Sequence, residues 1–499
     1  MKPMLDVAII GAGFAGLGAA IRLLQDGRTS IRLFERADDV GGTWRDNTYP
    51  GCACDVPAPL YSFSFAPNPN WSRLYSPQPE ILAYLKACTE RFNLRPYIEF
   101  STEIIRTEWL EPAGYWQLTD RRGRSWTARV VIGAIGPLNR PSVPTLPGHD
   151  GFTGRVFHSS AWDHGCELTD KRIAVVGTGA SAIQIVPEVA KVARQLYVFQ
   201  RTAPYVTPRP DRVFSERTQR LFGRWPGLQR ALRAGIYWLN EGRGLAFLGN
   251  GTLNRLGTKE AIKHLEATVK DPELRRKLTP NYQLGCKRVL VSNDYYPALT
   301  RPNVELVTDR ITHLTPTGLV TQDGTERPVD VLIFSTGFVA ADIISDLNVI
   351  GRNGRNLFAD WMQTGAEAYK GLVVAGYPNL LFLVGPNTGL GHNSIVHMIE
   401  SQLSYVLDYL RLLDRAGEGA FLDVKPAVQR AYNERIQQQL TGTVWSSGCR
   451  SWYMNAQGKN TTIWPALTVT YRRETRRVNP ADFDLITQPE PVTQPEGTA

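Results

Sequence analysis

Two glycine-rich segments are the first residues of the sequence with a recognisable chemistry. Each follows a short apolar run, with Gly11, Gly13 and Gly16 in the first segment and Gly177 and Gly179 in the second. Glycines at this spacing let the backbone approach a pyrophosphate, which the N terminus of the following helix then binds. The sequence therefore predicts two dinucleotide-binding strand–helix–strand units in one chain.

The two units differ at the end of their second strand. Glu35 ends that strand in the first unit, where a carboxylate can accept hydrogen bonds from ribose hydroxyls. Gln200 and Arg201 stand at the corresponding place in the second unit. An acid would repel a ribose 2′-phosphate, whereas an arginine attracts one. This difference predicts NADPH rather than NADH in the second unit, the alternative being that Arg201 is an ordinary surface residue.

A third pattern lies between the glycine segments and consists of Phe152, Gly154, His158, Trp162 and Asp163. As residue types alone, the aromatic side chains could pack and the histidine could cap a turn. The spacing Phe-x-Gly-x-x-x-His-x-x-x-Trp-Asp resembles the fingerprint of type I Baeyer–Villiger monooxygenases. These flavoenzymes insert one oxygen atom of O2 beside a ketone carbonyl.

The resemblance covers most of residues 5 to 465. Its other motifs stand in the family's order: Gly-Gly-Thr-Trp-Arg at 41–45, Tyr-Pro-Gly at 49–51, Asp55, Lys287-Arg288, and Trp-Tyr at 452–453 before Gly-Lys at 458–459. It implies FAD in the first unit, NADPH or NADP+ in the second, and O2 and a ketone as substrates. The residues implied for FAD are Gly11, Gly13, Gly16, Glu35, Thr43, Trp44 and Asp55. Those implied for NADPH are Gly177, Gly179, Ser181, Gln184, Arg201, Thr202, Lys287 and Trp452.

The reaction that the resemblance implies gives an ester or lactone by way of a flavin peroxide. A peroxide anion requires a fixed positive charge, and a guanidinium stays charged at any working pH. Arg288 is therefore the expected catalytic cation, with Asp55 as the catalytic partner that holds its orientation. Lys287 and Arg201 would bind the 2′-phosphate. The fingerprint would be a linker that couples two domains, in which His158 acts on conformation more than on protons.

Two rival functions stay open at this point. Flavin-containing monooxygenases that oxidise soft nitrogen or sulfur atoms share both glycine segments and a related linker. The pairs Trp162-Asp163 and Lys287-Arg288 favour the Baeyer–Villiger reaction over them. A non-catalytic FAD-binding redox sensor would keep the nucleotide segments but show no substrate-dependent turnover.

Composition is that of a globular protein. The 499 residues are 42% hydrophobic and 21% charged, and the net charge of +9 comes without a basic run or nucleic-acid motif. Nucleic acid is therefore not an expected partner, and two phosphate-rich cofactors explain part of the positive charge. Six scattered cysteines predict reduced thiols and a cytoplasmic location. His392 and His397 lack a third ligand at useful spacing, so no metal site is expected.

The expected fold class is α/β, with two Rossmann-like dinucleotide-binding domains and a helical insertion in the NADPH domain. The predicted limits are 1–140 and 339–486 for the FAD domain, 141–338 for the NADPH domain, about 210–280 for the insertion, and 487–499 for a flexible tail. The apolar stretch from Val7 to Leu24 could pass for a signal anchor, but the glycine motif inside it favours a strand, a turn and a helix. No other apolar run approaches the length of a membrane span. Arginines and tryptophans of the insertion could make weak contact with a membrane surface, although a solvated basic face is the simpler explanation.

Overall fold

The computed structural model describes residues 4–111, 113–339, 344, 346–449 and 451–487. The strands of these residues follow in chain order: β1 (Leu5–Ile10), β2 (Ile31–Phe34), β3 (Ile98–Glu99), β4 (Ile104–Leu110), β5 (Tyr115–Asp120), β6 (Ser125–Gly133), β7 (Arg155–His158), β8 (Arg172–Val176), β9 (Gln195–Phe199), β10 (Val206–Thr207), β11 (Leu290–Val291), β12 (Val304–Val307), β13 (Ile311–Thr315), β14 (Gly318–Thr321), β15 (Glu326–Pro328), β16 (Val331–Phe334), β17 (Asn348–Ile350), β18 (Leu380–Phe382), β19 (Phe421–Val424) and β20 (Phe483–Ile486).

The α-helices of the same residues vary from a single turn to six turns. In chain order they are α1 (Phe14–Gln25), α2 (Thr43–Asp46), α3 (Gln78–Arg91), α4 (Ala182–Val192), α5 (Glu216–Arg224), α6 (Pro226–Gly244), α7 (Gly251–Thr268), α8 (Pro272–Leu278), α9 (Tyr295–Leu299), α10 (Leu357–Thr364), α11 (Ile395–Ala416), α12 (Pro426–Leu440) and α13 (Thr468–Glu474).

The first large sheet has eight strands in the order β17-β4-β5-β6-β1-β2-β3, with β18 also paired to β6. Strand β1 runs parallel to its neighbours β2 and β6. Strands β17 and β18 follow much later in the chain, yet they run parallel to β4 and β6. Two separate stretches of the chain therefore build one sheet.

The second large sheet has five strands in the order β12-β9-β8-β16-β7. All its pairings are parallel. Strand β16 is apolar and fully buried, and β8 is apolar after Arg172 and buried in its centre, as expected for a parallel sheet that is covered on both faces. All five strands come from one stretch of chain, residues 155–334.

The turn from β1 into α1 brings backbone segments unusually close together. Gly11 has a φ of +104°, and a Cβ on it would lie 2.7 Å from the carbonyl oxygen of Ala134. A Cβ on Gly16 would lie 1.8 Å from the carbonyl oxygen of Gly11. Glycine is therefore required at both positions for α1 to begin directly above the end of β1.

The helical insertion lies between β10 and β11. Helices α5 to α8 occupy residues 216–278, close to the range of about 210–280 that the sequence predicts. Asp271 caps α8 by accepting hydrogen bonds from the backbone N–H groups of Glu273 and Leu274. Pro272 takes the first position of that helix, where its missing N–H costs nothing.

The predicted fold class is confirmed, because two sheets of Rossmann type carry the two glycine turns and four helices interrupt the second unit. The domain limits stay a prediction. Residues 488–499 of the predicted tail lie outside the described residues. In the part of the chain that the structure describes, no helix combines the length and the apolar character needed to cross a bilayer.

We expect Gly16→Ala to destabilise the protein, because the new methyl group would meet the carbonyl oxygen of Gly11 at 1.8 Å. Relief requires a backbone shift, and overpacking of this kind costs about 1–3 kcal/mol. Thermal unfolding followed by circular dichroism should show a lower Tm. Gly223→Ala in α5 is the matched control, because a Cβ there meets nothing within 4 Å. Equal Tm values for both variants would contradict the expectation.

Candidate active site

A cleft of about 1520 Å³ lies at the carboxyl ends of strands from both large sheets. Ligands of parallel α/β sheets bind at this edge, because the helix N termini and the connecting turns meet there. Most of the residues predicted from the sequence line this single cleft: Gly11, Gly13, Glu35, Thr43, Trp44, Asp55, Gly177, Gly179, Ser181, Gln184, Arg201, Thr202, Lys287, Arg288 and Trp452. Gly16 and the five fingerprint residues do not line the cleft.

Glu35 is buried at the end of β2 and holds the first glycine turn in place. Its Oε2 accepts a hydrogen bond from the backbone N–H of Ala12 at 2.9 Å. Its Oε1 accepts from the backbone N–H of Ala37 and from Nη1 of Arg45, both at 3.0 Å. The carboxylate is thus fixed in one orientation at the wall of the cleft.

Helix α2 brings Thr43 and Trp44 to the cleft directly after Gly42, whose φ is +52°. The indole Nε1 of Trp44 donates to the hydroxyl of Tyr61 at 3.1 Å. The two rings also meet edge to face, with their centroids 5.6 Å apart. This aromatic pair forms a rigid, largely apolar wall on the side of the first sheet.

The second glycine turn leaves backbone open to the cleft. Gly177 has a φ of +114°, and a Cβ on it would lie 2.4 Å from the carbonyl oxygen of Ser335. A Cβ on Gly179 would meet no protein atom within 4 Å. Two buried atoms on this side, Ser335 Oγ and Gln200 Oε1, have no hydrogen-bond partner in the described part of the chain. Buried polar atoms rarely go unpaired, so this wall is suited to a polar ligand.

Arg201 and Lys287 place two positive charges beside the second turn. Burial and, secondly, the charge of Arg201 lower the pKa of Lys287, so the two cations lie within electrostatic reach of each other. The Lys287 Nζ lies 5.0 Å from the centre of the Tyr282 ring. Across the described residues, neither cation forms an ion pair with a carboxylate. Two close cations without a counter-ion suit a dianionic group such as a phosphate.

Asp55 and Arg288 form a charge pair across the cleft, although they lie far apart in the chain. Arg288 donates to Asp55 Oδ2 through Nε at 2.8 Å and through Nη2 at 2.5 Å. The charge of Asp55 raises the pKa of Arg288, which therefore stays protonated. These bonds use two of the five N–H donors of the guanidinium, which leaves donors for a bound ligand.

Two tyrosines complete the surroundings of this pair, and neither was predicted from the sequence as a site residue. Tyr453 is 1% exposed, and burial, modulated by Arg288 and Asp55, raises its pKa to about 12. Burial also raises the pKa of Tyr61, which lines the cleft. The Trp-Tyr motif at 452–453 was a signal for Tyr453, whereas nothing in the sequence distinguishes Tyr61 from the other tyrosines.

The segment around Trp452 lies over the same part of the cleft. Trp452 is 44% exposed, and its ring lies 4.5 Å from that of Tyr453, centroid to centroid. Lys459 of the same motif forms an ion pair with Glu367 and is not part of the cleft wall. Only the aromatic half of the C-terminal motif therefore reaches the site.

Gln184 ties the helix of the second turn to the loop that carries Asp55. Its Oε1 accepts from the hydroxyl of Tyr49 at 3.0 Å, and its Nε2 donates to the carbonyl oxygen of Ala53 at 2.9 Å. A Cβ on Gly51 would lie 2.7 Å from the Gln184 carbonyl oxygen, so α4 and this loop are in direct backbone contact. The two nucleotide units are therefore docked against each other beside the charge pair.

The fingerprint segment runs along β7, the edge strand of the second sheet, and into the turn after it. Gly154 is fixed by packing, since a Cβ there would lie 2.5 Å from the Phe152 ring and 2.6 Å from the carbonyl oxygen of Asp330. The Trp162 ring meets Phe157 edge to face at a centroid distance of 5.1 Å. The aromatic residues of the fingerprint thus pack against neighbouring residues, which is the structural role that their residue types alone suggested.

His158 and Asp163 organise the turn at the end of β7. The buried His158 ring accepts a hydrogen bond at Nδ1 from the backbone N–H of Ser160 at 3.1 Å and packs against Phe338 at 5.7 Å. Burial lowers the pKa of His158, so the ring is neutral near pH 7. Asp163 Oδ1 accepts from the backbone N–H of Gly165 at 3.0 Å. Both side chains have contacts that shape the backbone.

Cys286 and Cys449 form a disulfide, with their Cα atoms 6.2 Å apart. The prediction that the cysteines are reduced thiols is therefore wrong for this pair. The two residues are 163 positions apart and become neighbours only when the C-terminal segment folds over Lys287 and Arg288, which no local spacing reveals. The free cysteines are Cys52, Cys54, Cys88 and Cys166.

A buried carboxylate ties the helical insertion to the wall of the cleft. Glu241 of α6 is 2% exposed, and its Oε1 accepts from Asn393 Nδ2 and from Thr468 Oγ1, both at 2.7 Å. His392 Nε2 lies 3.4 Å from the same oxygen. Burial alone would raise the pKa of Glu241, but hydrogen bonds from His392, Thr468 and Asn393 lower it to about 2. Since Asn393 also lines the cleft, this network fixes part of the wall.

The two histidines weighed as metal ligands lie near this network. His392 faces Glu241, and the His397 ring lies 4.8 Å from that of Tyr237, centroid to centroid. Within the described ranges, no group of three His, Cys, Asp or Glu side chains is placed to hold a metal ion.

Known proteins with similar sequences are monooxygenases. The family described as flavin-binding monooxygenase-like matches residues 5–216. A Baeyer–Villiger monooxygenase of Pseudomonas aeruginosa is 49% identical over 97% of this chain and 92% of its own length. A Baeyer–Villiger monooxygenase of Streptomyces coelicolor is 48% identical over 96% of this chain and 92% of its own.

Solved structures agree with the sequence relatives. An oxidised steroid monooxygenase bound to NADP superposes with a TM-score of 0.87 at 30% identity, covering 97% of this chain and 100% of its own. The cyclohexanone monooxygenase from Rhodococcus sp. Phi1 bound to NADP+ gives 0.86 at 28%, covering 98% and 100%. OTEMO in complex with FAD and NADP gives 0.88 at 27%, covering 97% and 100%.

Two Rossmann-type units that open onto one cleft are the architecture of the flavin-binding monooxygenases. The resemblance found in the fingerprint and its companion motifs is confirmed by both sets of relatives. This chain belongs to the Baeyer–Villiger monooxygenase family.

The Glu241 network gives a pH-dependent prediction for stability. The folded pKa of about 2 lies below the ordinary value of 4.5, so the carboxylate stabilises the fold fully above pH 4.5 and loses this effect as the pH falls through 2. Glu241→Gln should lower the free energy of unfolding at pH 7 by about 3 kcal/mol. Denaturant unfolding across a pH series should show the gap to the unmodified protein closing below pH 4.5.

The matched control is Glu260→Gln, which alters an exposed carboxylate on α7 of the same insertion. It should leave the free energy of unfolding unchanged at every pH. A gap for Glu241→Gln that is equally large at pH 7 and at pH 3 would show that the charge of Glu241 contributes nothing.

Proposed function

We propose that this chain is an FAD- and NADPH-dependent Baeyer–Villiger monooxygenase that inserts one atom of O2 beside a ketone carbonyl to give an ester or a lactone. The Asp55–Arg288 pair carries the proposal, because it places an oriented guanidinium in the cleft onto which both glycine turns open. The overall reaction consumes ketone, O2, NADPH and one proton, and it yields ester, NADP+ and water.

The first glycine turn fits FAD. A Cβ on Gly13 would approach only Gly42, at 3.7 Å, so the N terminus of α1 is accessible to a pyrophosphate. The fixed carboxylate of Glu35 would accept hydrogen bonds from the ribose. Thr43 and Trp44 would border the flavin ring, with Tyr61 behind the indole. The OTEMO structure, which contains FAD and NADP, has the same overall fold.

The second glycine turn fits NADPH. The open backbone at Gly179 would approach the pyrophosphate, and Arg201 with Lys287 would hold the 2′-phosphate. Ser335 Oγ and Gln200 Oε1 are unpaired buried atoms in this wall and would find partners on the ligand. The other residues that would border the cofactor are Gly177, Ser181, Gln184, Thr202 and Trp452.

FAD and NADPH held at these two turns would supply the hydride transfer and the activation of O2 that the reaction requires. Arg288 would stabilise the negative charge that develops on oxygen as the ketone reacts. Its guanidinium is suited to this because Asp55 keeps it charged and holds its plane through two hydrogen bonds. Tyr453 is buried and Tyr61 half-buried beside the pair, and both rings would exclude water from the reacting atoms.

The fingerprint would couple the two halves of the molecule. His158 packs against Phe338, at the point where the chain leaves the second sheet and turns back towards the first. In this proposal residues 141–338 form the NADPH domain, and residues 1–140 and 339–486 form the FAD domain. A cytoplasmic location is part of the proposal: the four free cysteines favour a reducing compartment, whereas the Cys286–Cys449 disulfide is more typical of an oxidising one.

We expect Arg288→Ala to separate flavin reduction from oxygen insertion. Ester formation should fall at least about a hundredfold, because the charge that stabilises the developing oxyanion is gone. Reduction of bound FAD by NADPH should persist, because the second turn is untouched. Anaerobic stopped-flow absorbance measures the reduction, and gas chromatography of products from a ketone panel measures the ester.

Two variants accompany this test. Arg288→Lys keeps the charge but loses the two-donor contact with Asp55, so its ester yield should lie between those of the alanine variant and the unmodified enzyme. Arg301→Ala removes an exposed arginine from the same domain and should change nothing. Ester formation retained in Arg288→Ala would refute the role of Arg288. Oxidation of sulfides alone, or NADPH consumption that no ketone increases, would refute the proposed function.

Arg201→Ala should reduce the preference for NADPH over NADH. We expect kcat/KM for NADPH to fall about ten- to hundredfold, because a charge-assisted contact with the 2′-phosphate is lost. The value for NADH should stay nearly constant, since NADH lacks that phosphate. Arg194→Ala, at an exposed position after α4, is the matched control. An equal loss with both nucleotides would show that Arg201 does not read the 2′-phosphate.

A further inference from the structure

Helix α6 places several polar side chains on its inner face, beside partly buried apolar side chains that pack against the core. Arg233 donates through Nη1 to the carbonyl oxygens of Pro59 and Ser62, both at 2.8 Å. Gln229 and Glu241 are buried on the same face, 4% and 2% exposed. Polar groups on the inner side are thus fully engaged with the body of the protein.

The outer face of α6 is apolar. Between Arg230 and Arg243, every exposed residue of the helix is apolar or glycine: Ala231, Ala234, Gly235, Trp238, Leu239 and Gly242. Large apolar side chains of α5, and of the turn between α5 and α6, are also exposed. We call the following residues the outer apolar surface, with their exposed fractions: Leu221 42%, Trp225 59%, Leu228 51%, Trp238 60% and Leu239 56%.

Positive charge surrounds the outer apolar surface. Residues 213–263 contain nine arginines and lysines but only three glutamates, and one of these, Glu241, is buried in its own network. Exposed arginines lie before, within and after the surface, at Arg217, Arg220, Arg224, Arg230 and Arg243. This stretch therefore has a net charge of +6, nine positive side chains minus three negative ones.

We propose that the outer apolar surface docks onto an anionic lipid bilayer, with α5 and α6 lying in the plane of the headgroups. Tryptophan prefers this layer because its ring is apolar and its N–H is polar. Arginines around an apolar stripe are attracted to anionic headgroups while the stripe enters the acyl boundary. Docking of this kind needs no spanning helix, in agreement with the described part of the chain.

Charge favours a lipid surface over a second copy of this chain. A two-fold dimer through this surface would bring the same patch together from both protomers. The arginines at 217, 220 and 224 would then approach an equally basic rim, with only Glu216 exposed on α5 to compensate. An anionic bilayer supplies the missing negative charge. The proposal is independent of the proposed function, because none of these residues lines the cleft.

The test is sedimentation of the FAD-loaded enzyme with vesicles. One set contains phosphatidylcholine alone, and the other contains one third phosphatidylglycerol. We expect binding to the anionic vesicles, little binding to the neutral ones, and loss of binding in high salt because exposed charges are screened. Vesicles with brominated acyl chains should also quench tryptophan fluorescence of the bound enzyme, which reports on insertion without any substitution.

Three multiple variants separate charge from apolar contact. The triple variant Arg217→Gln, Arg220→Gln, Arg224→Gln should bind anionic vesicles roughly a hundredfold more weakly, since each basic residue contributes separately to the attraction. The double variant Trp225→Gln, Trp238→Gln should lose the quenching by brominated lipid. The matched control Arg301→Gln, Arg430→Gln, Arg477→Gln removes three exposed arginines elsewhere and should bind within about twofold of the unmodified enzyme.

Several results would overturn the proposal. These are no binding of the unmodified enzyme, equal binding to both kinds of vesicle, an equal loss in the control, or no quenching by brominated lipid. A dimer in analytical ultracentrifugation that Trp238→Gln converts to monomer would assign the surface to a second copy instead. Flavin content and Tm of each variant verify folding, and the lipid and salt series on the unmodified enzyme decides the question even if a variant does not fold.

Discussion

The cleft depends on one ion pair between residues that the chain supplies from two different units. Asp55 belongs to the loop after α2, and Arg288 belongs to the segment before β11. A pair that is about 30% exposed contributes little to stability, about 0–1 kcal/mol. Its importance is geometric, because it can form only when Gln184 and Gly51 have docked α4 onto the loop of the first unit. The catalytic geometry and the docking of the two units are therefore one constraint.

Local backbone requirements explain why much of the fold could be predicted from the sequence. A turn in which a Cβ would lie 2.4 Å from a carbonyl oxygen allows only glycine, so Gly177 is visible in the sequence itself. The contrast between Glu35 and Arg201 could also be read from the sequence, because each residue follows the second strand of its own unit. Asp55 and Arg288 were different. Their residue types are common, and only the family resemblance singled them out.

The features that could not be predicted from the sequence depend on packing between distant parts of the chain. The Cys286–Cys449 disulfide joins segments that meet only in the folded protein. Tyr61 is positioned by a hydrogen bond from the indole of Trp44, and the spacing of these residues in the sequence does not reveal that contact. The orientation of α6 could not be predicted for another reason. An apolar period shows that a helix exists but not which of its sides faces the core. Its inner side combines Glu241 and other polar contacts with apolar side chains that pack against the core.

The two sheets differ in when they can be completed during synthesis. All strands of the second sheet have left the ribosome once Phe334 has emerged, because they form one contiguous stretch. The first sheet must wait for β18, which ends at Phe382 and pairs with β6. Domains fold as units while the chain elongates. The first sheet, although it begins at the N terminus, can therefore be completed only after every strand of the second sheet is available.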